Sequence, residues 1–365
     1  MMRTVQKEEE YRGQARFTLV ESGGGRSWGA CAEAEGLFGE PRYGTYELFG
    51  WTPEGSGPRG WAGRSVWLVP DDEVLDPWLL EDARTLEHDP GPGSLLVVGL
   101  DDHEGPPEGH RGRVRLHDGR RWLGACREFT RVLPARHPAV PLVLRGLAPS
   151  EELRARLAQG TRSARDLDHA VLEIRDDRGE LLTDLPMTAR ITAWHPSSVG
   201  TGLIDLELDG DLGPSVPAHA RAVWEQWLAG PPDAPGGWAR LDTRHRDVWL
   251  GLARDRACRR THRDRPVGRV HELDGRHITD RPGLYLAVGE AVNGPGGYFG
   301  GCLDALVDCL RGGFGCTAPA TVLWRDADIA RTHLSHTLGS AGQPRDLFAA
   351  VLDILGEAGV QVALL

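Results

Sequence analysis

The front of this 365-residue chain repeats itself, and that limits its fold more than any other feature. Arg16-Phe-Thr-Leu-Val-Glu21 is echoed by Arg113-Val-Arg-Leu-His-Asp118. Gly29-Ala-Cys-Ala-Glu33 is echoed by Gly124-Ala-Cys-Arg-Glu128, with Trp28 and Trp122 just before. Gly50-Trp-Thr-Pro53 is echoed by Gly146-Leu-Ala-Pro149. Three blocks in one order at an offset of about 96 residues imply two copies of one unit. Phe17 and Leu19, like Val114 and Leu116, alternate with polar residues, the period of a half-buried strand. Gly23-Gly24-Gly25 and Asp118-Gly119 supply hairpin turns. Ser150 is placed to cap a helix carrying Leu153 and Leu157 on one face.

These patterns predict β-rich unit 1 over 14–110 and β-rich unit 2 over 111–255. Unit 2 also contains Val171–Ile174, Leu203–Leu208 and a helix over 215–228, which leave room for a degenerate third copy. Gly230–Gly237 reads as a flexible loop or linker, and the basic run Arg254–Arg265 as a solvated linker rather than a contact patch for anions.

A formal charge of −11 disfavours a general binder of nucleic-acid backbones, so no direct nucleic-acid partner is expected. Residues 1–14 carry no apolar signal core, and no apolar run approaches the roughly 20 residues that cross a bilayer. Six sparse cysteines suit reduced thiols and a cytoplasmic setting with no membrane partner. Cys31 and Cys126, at matching repeat positions, read as buried core thiols. Cys302, Cys309 and Cys316, with His262, His271 and His277 upstream, lack the close pairs of a zinc site, so no metal is expected. No phosphate-binding loop, hydrolase nucleophile elbow or metalloprotease motif is present, so neither a cofactor nor enzymatic activity is expected. His88, His103 and His110, with Asp101 and Asp102, read as exposed loop residues.

The pattern changes over 266–365. Val270–Leu273 reads as a strand, Pro282–Val292 as a helix, and Tyr298–Leu310 as a loop leading into a second helix. Thr321–Trp324 reads as a buried strand, Asp346–Leu355 as a helix and Val360–Leu365 as a closing strand. On the second helix Leu303, Leu306 and Leu310 form an apolar stripe extended by Cys302 and Cys309. Asp304 and Asp308 stack on a different face at the i,i+4 spacing, where like charges cost a few tenths of a kcal/mol. A cationic partner would give such a pair a purpose.

Tyr298-Phe-Gly300 and Leu303-Asp-Ala-Leu-Val-Asp-Cys-Leu310 resemble the Tyr-Tyr-Gly and Leu-Asp-Ala-Leu-Trp-Asp-Cys-Leu stretch of the barstar family, inhibitors of the ribonuclease barnase. Pro319–Arg325 resembles the strand that follows it there. The resemblance implies an α/β fold class for this part: a barstar-like domain, with a small parallel sheet packed with helices, preceded by the duplicated β-rich units. It implies binding without catalysis, with an acidic helix and its preceding loop plugging the cleft of a basic ribonuclease or nuclease toxin. By position, the contact residues fall on Tyr298, Asp304, Val307 and Asp308, with Asp353 the nearest acid on the later helix. The sequence departs from the family at Val307, where tryptophan is usual, at Arg311, where a small polar residue is usual, and at Gly301-Cys302. Loss of an aromatic hot spot favours an alternative, a non-inhibitory interaction scaffold.

Overall fold

The computed structural model describes residues 15–365 except 24–25, 42, 55–60, 63, 72–74, 76, 87–92, 102–105, 108, 120, 133–140, 162–164, 212–215, 261 and 339–343. The first repeat supplies β1 (Phe17–Glu21), β2 (Ser27–Cys31), β3 (Glu33–Glu35), β4 (Tyr43–Phe49), β5 (Thr52–Pro53), β6 (Arg64–Pro70), β7 (Trp78–Thr85) and β8 (Ser94–Leu100). The second supplies β9 (Gly112–His117), β10 (Trp122–Arg131), β11 (Leu142–Pro149), helix α1 (Glu151–Gln159), β12 (Asp166–Arg175), β13 (Leu181–Pro196) and β14 (Ile204–Asp211). Ser150 caps α1 by accepting from Leu153 N.

These strands close two six-stranded antiparallel barrels. One ring runs β1-β2-β11-β14-β13-β12, the other β9-β10-β4-β8-β7-β6. Each barrel therefore takes its opening hairpin from one repeat and its other four strands from the other. Units 14–110 and 111–255 describe the duplication along the chain, but neither closes a barrel alone. The registers match across the two copies. Phe17 faces Cys31 and Thr18 faces Ala30, as Val114 faces Cys126 and Arg115 faces Ala125. The exchanged contacts match too: Gly29 pairs with Pro149 and Gly124 with Pro53.

This exchange explains two of the echoed blocks. A β-carbon at Gly29 would lie 2.8 Å from the Ala148 carbonyl oxygen, and one at Gly124 would lie 2.5 Å from that of Thr52. The strand of one repeat crosses too close to the other for any side chain there. Gly50 and Gly146 turn the chain with φ of 66° and 61°, values that L side chains rarely adopt. The strands at 171–174 and 203–208 belong to β12 and β14, which occupy the ring positions that β6 and β8 occupy in the sister barrel.

The second barrel has its own core, built on Tyr46, Leu48, Leu68, Trp78, Leu116 and Phe129. The first barrel shares one continuous core with the rest of the chain. After it come α2 (Ala220–Leu228) and α3 (Thr243–Cys258). The basic run is therefore not a solvated linker, because Arg254–Cys258 is the last turn of α3. Beyond it, Arg259 and Arg260 pair with Asp184 and Glu180 on and beside β13. Thr183 Oγ1 donates to Asp255 Oδ2 at 2.7 Å.

The C-terminal domain follows the predicted order. It comprises β15 (Val270–Asp274), α4 (Arg281–Asn293), α5 (Leu303–Leu310), β16 (Ala320–Arg325), α6 (Ala327–Leu334), β17 (Thr337–Leu338), β18 (Pro344–Arg345), α7 (Leu347–Glu357) and β19 (Val360–Leu364). The parallel sheet runs β15-β16-β19. The sequence reading missed α6 and the β17–β18 ribbon. The α/β description fits this domain, whereas the front of the chain is two β-barrels. Helix α4 is apolar nearly all round because the sheet covers one side and α3 the other.

Candidate protein-binding face

The acidic face is built on α5. Cys302 caps this helix, its Sγ accepting from Ala305 N at 3.4 Å. Leu306 and Cys309 are buried, and Leu303 and Leu310 pack against the core. Burial, the main cause, pushes the Cys309 thiol up to about 12, which leaves it a neutral packing group. The opposite face presents Asp304 and Asp308, both exposed. Asp304 has no ion pair among the described residues. Asp308 accepts from Arg311 Nη1 at 2.7 Å, an exposed pair worth no more than about 1 kcal/mol. Val307, between them in sequence, is half-buried, and Asp353 is exposed on α7, which packs against α5.

Tyr298 is placed differently. It is only 5% exposed. A β-carbon on the intervening Gly301 would lie 3.6 Å from the Tyr298 hydroxyl and 3.8 Å from Leu250 of α3. Phe314 packs edge-on against the ring with centroids 6.5 Å apart. Burial, its main cause, raises the Tyr298 phenol to about 12. A residue that the resemblance assigns to the partner is thus buried within this chain, in a core that it shares with a helix preceding the resembling segment.

The loop after α5 is also held from upstream. Asp264 accepts from Gly313 N at 2.8 Å and Gly315 N at 2.9 Å. These backbone donors hold its carboxyl below the usual range. His262 stacks on Phe314 at 6.0 Å. Asn293 ties the two loops together, its Nδ2 donating to the carbonyls of Tyr298 and Phe314, each at 2.9 Å. The sequence reading missed His262 and Asp264 as parts of this region, since nothing local marks a polar residue whose partners lie 49 and 51 positions away.

Other sites read from sequence resolve as follows. Cys31 and Cys126 are buried at matching positions, and burial pushes the Cys31 thiol up to about 12. Asp101 is not an exposed loop acid. It is buried and accepts from Tyr46 and Arg131, each at 2.6 Å. His110 packs edge-on against Trp78. His88, Asp102 and His103 lie outside the described residues. Among the described residues no group of three or more His, Cys, Asp or Glu is arranged to hold a metal ion, and no helix is long and apolar enough to cross a membrane.

Residues 268–364 match the model of the family described as Barstar (barnase inhibitor). The C-terminal domain is a Barstar-family domain. No curated protein matches the chain. The barstar domain starts two residues before β15, so α3, which shares the core of Tyr298, and Asp264, which holds the loop after α5, lie outside the matched stretch.

Proposed function

We propose that the barstar domain binds a basic ribonuclease or nuclease toxin and blocks its active site with α5, acting as an inhibitor or antitoxin without catalysis of its own. The observation that carries this reading is Asp304 and Asp308 standing exposed one helical turn apart, inside the stretch that matches an inhibitor family. Asp304 gains from the N-terminus of α5, but like charges one turn apart repel, and a cationic cleft would offset that cost. Carboxylates there would take the place of RNA phosphates. Val307 and Asp353 lie at positions to extend the contact, whereas Tyr298 supports the loop from beneath.

The test is inhibition of barnase and other basic ribonucleases by the full chain. The wild type should inhibit at least one of them. An Asp304→Ala/Asp308→Ala double variant should lose at least about 2 kcal/mol, roughly thirtyfold in the inhibition constant. Equal inhibition by the double variant, or none by the wild type, would overturn the reading. A second reading, a non-inhibitory interaction scaffold, draws on the burial of Tyr298, the Asp308–Arg311 pair and Val307 in place of an aromatic. Capture of partners that is indifferent to the double variant would favour it.

A further inference from the structure

Between α4, the parallel sheet and α7 the barstar domain contains a small apolar cavity of about 20 Å³, lined among others by Val288, Phe299, Cys316 and Leu355 and reached by α5 through its last residue, Leu310. One imidazole, that of His271 on β15, lines it. His271 is 3% exposed. Its Nδ1 lies 3.2 Å from the Ala291 carbonyl oxygen, so Nδ1 carries the proton and donates. Its Nε2 is buried and has no hydrogen-bond partner. A cavity of this size could hold one water, but with a single nitrogen to bind it the site lacks the two to four polar partners that retain a buried water.

We propose that His271 is an acid-sensitive switch in the packing between α4, the parallel sheet and α7, whose second proton would place a charge in an apolar cavity and loosen the packing that holds the C-terminal end of α5. The Ala291 carbonyl favours the charged ring, but burial outweighs it and no acid among the described residues faces the ring to balance the charge. The charged groups that act on it are Arg265 and Arg269, on the approach to β15, and both oppose protonation. The loop after α5 contributes only the Cys316 thiol, itself kept neutral by burial. Helices α4 and α7 and strands β16 and β19 contribute aliphatic side chains to the cavity and no acid. Burial, the main cause, lowers the affinity of His271 for a proton.

The sign follows from linkage. A histidine whose folded value lies below its unfolded value of about 6.5 gives full stability above that value and loses it as the pH falls. Each unit below it costs up to about tenfold in the closed-to-open ratio. Phe299, in the loop before α5, and Leu310, its last residue, both line this cavity, so opening should reach the segments at both ends of α5. Release of a partner on acidification rests on the inhibitor reading, whereas the switch itself can be tested on the chain alone.

The experiment is amide hydrogen exchange of the full chain at pH 7.5 and 5.5, corrected for intrinsic rates and read over residues 299–316. In the wild type, opening should increase up to about tenfold at the lower pH. His271→Leu, which keeps the volume and removes the titration, should show less than about a twofold change, and so should the polar His271→Gln if the leucine variant does not fold. A chain with His262, His277, His333 and His336 all changed to Gln should keep the wild-type response. An unchanged wild type, a response that persists in the His271 variants, or its loss in the fourfold variant would overturn the switch.

Discussion

Tyr298 and Asp304 are six positions apart and have opposite fates. Both were legible as members of a family motif, but only Asp304 was legible as a surface group, because its neighbours on α5 are within one helical turn. Tyr298 shares its core cluster with Leu250, 48 positions upstream on α3, and no local pattern encodes that neighbourhood. The account makes Tyr298 a packing residue. Tyr298→Phe should leave ribonuclease inhibition within about twofold of wild type, while Tyr298→Ala should cost about 3–5 kcal/mol of domain stability in urea unfolding. A large loss of inhibition by a folded Tyr298→Phe chain would return its hydroxyl to the interface.

Among elements, α3 departs most from expectation. Its last turn was read as part of a linker because five arginines crowd residues 254–263. The helix instead carries Trp249, Leu250, Ala253 and Ala257 into the shared core. Arg246 fixes it to the start of α4. This buried guanidinium donates to Thr279 Oγ1 at 2.9 Å, Asp280 Oδ2 at 3.0 Å and the Ala239 carbonyl at 2.7 Å. Asp280 in turn caps α4 through Gly283 N and accepts from Thr243 Oγ1. Removing one member of a buried pair leaves the other charge without compensation. Arg246→Ala should therefore lower the stability of the C-terminal domain by about 3–5 kcal/mol, measured by urea unfolding. A loss below about 1 kcal/mol would show that α3 is only loosely attached. The sequence revealed α4, α5 and the three parallel strands because each carries its own period and caps. It hid the end of α3 because the arginines there meet their partners only across elements, although Asp242 caps its start locally.

For the whole molecule, the duplication was legible but its spatial meaning was not. Strand patterns specify which residues face inward, and both repeats present the same faces, so an opening hairpin fits either copy. The structure seats each hairpin in the other copy's barrel, so among the described residues six strand pairings cross between the repeats. A protease site placed between Gly109 and His110 gives a clear check. After cleavage the two pieces should co-elute under native conditions and separate only in denaturant, whereas independent barrels would part on cutting. The first barrel and α3 share one core with the barstar domain, on which α5 presents Asp304 and Asp308 to solvent. The most direct test of that arrangement is a hydrogen-exchange footprint of the full chain with and without an inhibited ribonuclease. The account predicts new protection over residues 303–310 and none over the barrel strands between 43 and 131. Protection confined to the barrels, with α5 unchanged, would contradict it.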